Sequence, residues 1–155
     1  MSMNRREVLK VGGGAAVYSA LASMGFFAAN PAMAAWNKAA FETKSIADTL
    51  KVLGISGTAN SADVVITSPD IAENGAVVPV GVASKIGKTE MIAVMVEKNP
   101  SMMAGMYQFG PNAEADISMR VKMGQSSDVY ALVKADGKFY MTKKEIKVTL
   151  GGCGG

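Results

Sequence analysis

The sequence contains no histidine and only one cysteine, and each of these two shortages excludes a class of function; aromatic residues are also few, at 6%. Without histidine there is no Ser-His-Asp triad, no Cys-His pair and no imidazole ligand for a metal. A single cysteine cannot form an internal disulfide, a thiolate zinc site or an iron–sulfur centre. Any chemistry that the 155-residue chain supports therefore points to its one thiol.

The net charge of +3 comes mostly from the first 34 residues. Arg5, Arg6 and Lys10 precede a weakly apolar stretch over 11–29, and the segment ends in the small-residue pattern of Ala32 and Ala34. We interpret residues 1–34 as an export signal. A transmembrane anchor is the alternative, since about 20 apolar residues span a bilayer. The glycines and the cleavage pattern favour a signal instead. We therefore expect no stable membrane association.

The segment Asn4-Arg5-Arg6-Glu7-Val8-Leu9-Lys10 resembles a twin-arginine signal, which directs folded proteins to the periplasm. Cleavage after Ala34 leaves 121 residues, with 13 basic and 12 acidic side chains. The mature protein is then almost neutral, and no nucleic-acid partner is indicated.

Residues 35–150 are predicted to form one mainly β domain, an immunoglobulin-like antiparallel sandwich with an N-terminal helix over Ala35–Val52. Asn74-Gly75 and Asp136-Gly137 are turn dipeptides, and the second is typical of a hairpin. Since no helical crossovers separate the β-branched runs, an antiparallel arrangement is favoured. The predicted strands are 63–67, 76–82, 90–97, 115–123, 129–135, 138–142 and 145–150.

Eight methionines follow residue 34: Met91, Met95, Met102, Met103, Met106, Met119, Met123 and Met141. Thioethers suit copper, but most of these positions alternate within predicted strands, which favours core packing over a metal site. Met102, Met103 and Met106 are expected in a loop that faces a partner or the core. No cofactor, no metal site and no pair of catalytic carboxylates is assigned.

The chain ends in Gly151-Gly152-Cys153-Gly154-Gly155, which directly follows the last predicted strand. Because glycine adopts many backbone conformations, this segment is predicted to be a flexible arm, residues 151–155. Cys153, three residues beyond Leu150, reaches at most about 10 Å at ~3.3–3.6 Å per residue. Such a thin arm fits a narrow channel in another protein.

Cys153 has no fixed partner that would activate it. A free cysteine has a pKa of about 8.5, so only a few per cent is thiolate at neutral pH. The terminal carboxylate of Gly155 further disfavours the thiolate, and Lys143, Lys144 and Lys147 offset it only in part. Cys153 is therefore interpreted as a substrate handle, with no catalytic residue in the chain and the chemistry done by partner enzymes.

Two other functions stay open. Cys153 could join an exported β-sandwich binding or structural module to a partner through an intermolecular disulfide. Alternatively, the terminal Gly154-Gly155 could carry sulfur as a thiocarboxylate, although the adenylation that this requires uses ATP, which an exported protein leaves behind.

Three segments resemble the SoxY family, the sulfur-compound carriers of bacterial thiosulfate oxidation. They are 71–80 (IAENGAVVPV), 97–100 (EKNP) and 147–153 (KVTLGGC), and the terminal GGCGG is the most specific. The resemblance implies a heterodimer with SoxZ and Cys153 as the attachment point for sulfur. It further implies that a haem cytochrome (SoxAX) couples thiosulfate to Cys153 as an S-thiosulfonate. By the same resemblance, a dimanganese hydrolase (SoxB) would release sulfate and leave a persulfide. A molybdenum–haem sulfur dehydrogenase (SoxCD), where present, would oxidise its outer sulfur.

Overall fold

Two β-sheets packed face to face dominate the computed structural model, which describes residues 37–149. Two short helices precede the strands: α1 (Lys38–Phe41) and α2 (Ile46–Val52). The eight strands are β1 (Val64–Thr67), β2 (Ile71–Ala72), β3 (Val78–Ser84), β4 (Thr89–Val96), β5 (Met103–Gln108), β6 (Asp116–Val121), β7 (Ser127–Ala135) and β8 (Lys138–Val148). One sheet has the order β1-β3-β6 and the other the order β2-β8-β7-β4-β5.

The main core lies between the two sheets and consists of β-branched side chains that alternate along their strands. In β3, Val78, Val80 and Val82 are buried while the residues between them are more exposed. The mainly β sandwich predicted from the sequence is thereby confirmed. Pairing is antiparallel throughout the longer strands, but β2 runs parallel to β8, which an all-antiparallel prediction missed.

A second core covers the outer face of the five-stranded sheet, where the helical segment packs on it. Its buried members include four methionines, Met91, Met95, Met102 and Met103, and Met106 and Met141 pack against them. The core interpretation of these methionines is confirmed. The loop predicted around Met102–Met106 is wrong, because residues 103–108 form β5 and pair with β4.

The single helix predicted over Ala35–Val52 is also wrong in its described part, because the chain leaves helical geometry between α1 and α2. The Thr43 hydroxyl donates a hydrogen bond to the carbonyl of Ala40 at 2.8 Å and lies 2.6 Å from the hydroxyl of Thr49. Ser45 then begins α2, since its Oγ accepts the backbone N–H of Asp48 at 3.0 Å.

The two strands predicted over 138–142 and 145–150 are one continuous strand, β8, of 11 residues. It pairs with β7 through the turn Asp136-Gly137, as predicted, and both turn residues have positive φ angles, 48° and 72°. Such angles characterise the tight two-residue turns that match the twist of a hairpin. The β7–β8 hairpin therefore carries the chain without interruption to Val148.

Candidate functional site

The end of β8 is the described part of the site, because the chain continues from it to Cys153. Cys153 itself lies outside the described residues, as do the predicted arm glycines Gly151, Gly152, Gly154 and Gly155 and the export-signal residues Arg5, Arg6, Ala32 and Ala34. We call Lys147–Thr149, together with β2 and Ser126, the exit platform. It fixes the point from which the last six residues start.

Backbone hydrogen bonds hold the exit platform on both sides of β8. On one side, the N–H of Lys147 donates to the carbonyl of Asp70 at 2.9 Å, and the N–H of Thr149 donates to that of Ala72 at 3.1 Å. On the other side, the N–H of Val148 donates to the side-chain Oγ of Ser126 at 2.9 Å. The strand therefore remains anchored up to the last described residue.

A tight turn at Asn74-Gly75 forms one wall of the platform. The side chain of Asn74 accepts the N–H of Ala76 at 2.9 Å, and the carbonyl of Gly75 accepts the N–H of Met123 at 2.6 Å. Gly75 is so close to Val148 that an added Cβ would lie 2.8 Å from its Cγ1. The sequence predicted the turn but gave no sign that it packs against the strand that leads to Cys153.

The three lysines near the end of β8 have different surroundings. Lys143 donates to Asp128 at 2.6 Å, and this hydrogen bond, with the charge of the carboxylate, raises the pKa of Lys143. Lys144 pairs with Asp70 at 2.9 Å. Lys147 makes no ion pair with any residue in the described range 37–149. Of the three, Lys147 is therefore the one without a carboxylate partner among residues 37–149.

Two open grooves of the described surface lie beside residues 54–60, with volumes of about 410 and 640 Å³. The charged residue that lines the first groove is Lys143, which is paired with Asp128, and the one that lines the second is Lys138. Within residues 37–149 no cluster of three acidic, cysteine or histidine side chains is placed to hold a metal. No helix in that range is long and apolar enough to cross a bilayer.

The described part of the chain is a sandwich whose last strand is held on both sides, and the sequence that follows it is glycine-rich and contains the one cysteine of the chain. The sequence profile of the sulfur oxidation protein SoxY matches residues 50–153, and its match ends on Cys153. The chain belongs to the SoxY family, the sulfur carriers of sulfur oxidation.

Comparison with solved structures agrees with this assignment. The sulfur carrier protein SoxY from Chlorobium limicola f. thiosulfatophilum is 31% identical, with a TM-score of 0.60 over 67% of this chain and 96% of that one. A superoxide reductase (neelaredoxin) from Ignicoccus hospitalis is 24% identical, with a TM-score of 0.50 over 56% of this chain and 80% of that one, a likeness of fold alone. Comparison with curated protein sequences gives no significant match.

Proposed function

We propose that this protein carries sulfur intermediates of thiosulfate oxidation covalently on Cys153, as an S-thiosulfonate and then as a persulfide, and presents them to partner enzymes. The observation that carries the proposal is that the SoxY match extends to residue 153, the only cysteine in the chain. The anchored exit platform supports it, because a carrier needs a fixed base from which its terminal residues start.

The proposed loading step forms one S–S bond between Cys153 and thiosulfate. The thiol loses its proton, the thiol and thiosulfate together lose two electrons, and the haems of a cytochrome of the SoxAX type accept these electrons. The product, Cys–S–S–SO₃⁻, then reacts with water at a dimanganese hydrolase of the SoxB type. That step breaks the bond between sulfane sulfur and sulfonate, releases sulfate and two protons, and leaves the persulfide Cys–S–S⁻.

The composition of the chain supports a division of labour in which partners supply the catalysis. The sequence has no histidine to act as a base at neutral pH, and a lone thiol is a weak nucleophile at its ordinary pKa. Enzymes that enclose the terminus would activate the sulfur in turn. We therefore assign no catalytic residue to this chain and include a SoxCD-type dehydrogenase among the partners where the organism has one.

Location and assembly belong to the same proposal. The twin-arginine pattern at Arg5-Arg6 supports export to the periplasm after folding. SoxZ is the proposed stable partner, with which this chain would form a heterodimer and travel through the export pathway.

Mass spectrometry of the protein purified from the periplasm of thiosulfate-grown cells tests the proposal. We expect thiosulfate or sulfane-sulfur adducts that map to Cys153, and a Cys153→Ser variant that still binds SoxZ but supports no thiosulfate-dependent cytochrome reduction. If Cys153 is found only as free thiol or as a disulfide to another protein, the carrier proposal is wrong, and the disulfide would favour the disulfide-linked module instead.

A further inference from the structure

The strand β6 is an open edge of the three-stranded sheet among the described residues. It pairs with β3 on one side, and no described strand pairs with its other side. The N–H of Ser84 donates to the carbonyl of Ala115 at 2.8 Å, which fixes the alternation of the ladder. Since hydrogen-bonded and non-bonded pairs alternate between antiparallel strands, the backbone groups of Asp116, Ser118 and Arg120 point away from β3.

Pro79 agrees with this alternation. It lies opposite Arg120 in the register of β3 and β6 and has no N–H to donate. A proline is tolerated in this central strand because that pair is one of the non-bonded ones. The outward backbone groups of β6 are therefore not paired with any strand within residues 37–149.

The charged side chains along this edge form a mirror pattern about Ser118. Residues 114–122 read Glu-Ala-Asp-Ile-Ser-Met-Arg-Val-Lys, so that two acidic residues precede Ser118 and two basic residues follow it at matched distances. Glu114, Asp116, Ser118, Arg120 and Lys122 are all exposed. None of the four charged groups forms an ion pair with a residue in the range 37–149.

We propose that β6 pairs antiparallel with β6 of a second copy of this chain, about a two-fold axis through Ser118. In that register Asp116 faces Arg120 of the second copy and Arg120 faces its Asp116, while Ser118 faces its own equivalent. Asp116, Ser118 and Arg120 each exchange two backbone hydrogen bonds across the axis. Beyond the strand, Glu114 and Lys122 face each other in the same way.

The charge pattern selects both the occupant and the register. A parallel alignment in register would place like charges opposite each other, which destabilises a strand pair. An antiparallel alignment shifted by two residues would leave part of the four charges unmatched. A pattern that is its own complement fits an isologous contact between identical chains, whereas a different protein would have no need for the mirror order.

The pairing is limited to the length of the strand. The carbonyl of Lys122 already accepts a hydrogen bond from the side chain of Asn99 at 2.7 Å, so the backbone ladder ends at Arg120. Salt screens the attraction between exposed charges, with a screening length of about 8 Å at physiological ionic strength. The dimer is therefore expected to weaken as salt is raised. It does not depend on the chemistry proposed for Cys153.

Sedimentation of the purified exported protein, with any chain that co-purifies and under reducing conditions, tests the pairing at low salt. We expect a concentration-dependent doubling of mass for the wild-type protein. Asp116→Arg alone or Arg120→Asp alone should raise the dissociation constant roughly tenfold or more, because two attractive cross-strand pairs become repulsive. An equimolar mixture of the two variants should dimerise again, since each chain then meets opposite charges.

Lys138→Asp is the matched control, because it makes the same charge change at an exposed strand position in the other sheet. It should leave the dissociation constant unchanged. The mixture also shows that the single variants are folded, since unfolded chains would not recover dimerisation on mixing. The proposal is wrong if the mass of the wild-type protein does not double at the highest soluble concentration. It is also wrong if Asp116→Arg and Arg120→Asp leave the dissociation constant unchanged, or if mixing the two variants does not restore dimerisation.

Discussion

Gly75 is the residue whose replacement tests the wall beside the exit platform. An added Cβ there would overlap the carbonyl oxygen of Met123 and lie 2.8 Å from Cγ1 of Val148. The carbonyl belongs to the backbone and cannot rotate away, so relief requires movement of the turn or of β8. We predict that Gly75→Ala lowers the free energy of unfolding by about 1–3 kcal/mol, the usual cost of overpacking, measured by urea denaturation.

Gly124 provides the control for this substitution because it lies next to Met123 in the chain. An added Cβ at Gly124 meets no atom within 4 Å, so Gly124→Ala should change stability by at most about 0.5 kcal/mol. Equal stabilities of the two alanine variants would show that the turn does not press on β8 as the structure indicates.

Residue patterns in the sequence predicted most of the elements, and the errors have local physical causes. The prediction divided β8 at Lys143 and Lys144, which lie between the predicted strands 138–142 and 145–150. In the strand the two side chains point to opposite faces, where one binds Asp128 and the other Asp70. These two carboxylates are distant in sequence, so their pairing could not be predicted from the local pattern.

The helical segment carried a signal that the sequence interpretation missed. Ser45 followed three residues later by Asp48 is the pattern of a helix start, and their side chains are in contact at 2.7 Å. That pattern indicates a new helix at Ile46. The buried contact between Thr43 and Thr49, in contrast, depends on how the helices pack and has no local signature.

The candidate site was predictable in part for the same reason. Cys153 and its glycines are recognisable because they are unusual in sequence. The residues that anchor the end of β8 are ordinary by themselves, and only the pairing of β2 with β8 and the position of Ser126 give them a role.

At the scale of the element, Ser126 is the group whose loss should fray the end of β8. Its Oγ accepts the N–H of Val148, which lies beyond the last residue pair of β7 and β8, Ser127 with Ile146. We predict that Ser126→Ala speeds hydrogen exchange of the Val148 amide by about fivefold, since a net side-chain hydrogen bond contributes ~1 kcal/mol. Exchange measured by NMR gives the result residue by residue.

Ser61→Ala is the comparison for Ser126→Ala, because Ser61 Oγ also accepts a backbone N–H, that of Asp63 at 3.2 Å, at the start of β1. It should leave the Val148 amide unchanged. Unaltered protection of Val148 in Ser126→Ala would contradict the anchoring role of that hydroxyl and leave β2 as the main support of the strand end.

At the scale of the whole molecule, the five-stranded sheet is a middle layer. The three-stranded sheet covers one face, and the helical segment covers part of the other, so that β4 is buried along nearly its whole length. β8 belongs to this layer and continues beyond the second core to the exit platform. The terminus that carries Cys153 thus follows directly from the part of the fold with the most extensive pairing.

This arrangement makes the length of chain between Thr149 and Cys153 decisive for the proposed carrier role. Those four residues span at most about 14 Å when extended, at ~3.3–3.6 Å per residue, and deletion of Gly151 and Gly152 halves that reach. Because a sulfur held short of a reaction centre loses its alignment, we predict that the deletion lowers thiosulfate-dependent cytochrome reduction roughly tenfold or more, while SoxZ binding is unchanged.

Replacement of both glycines by alanine is the control for the deletion. It keeps the length of the chain and should lower the rate of cytochrome reduction much less. Alkylation of Cys153 by iodoacetamide at the wild-type rate would show that the thiol itself stays reactive in the shortened chain, and wild-type turnover by that chain would show that reach does not limit the carrier.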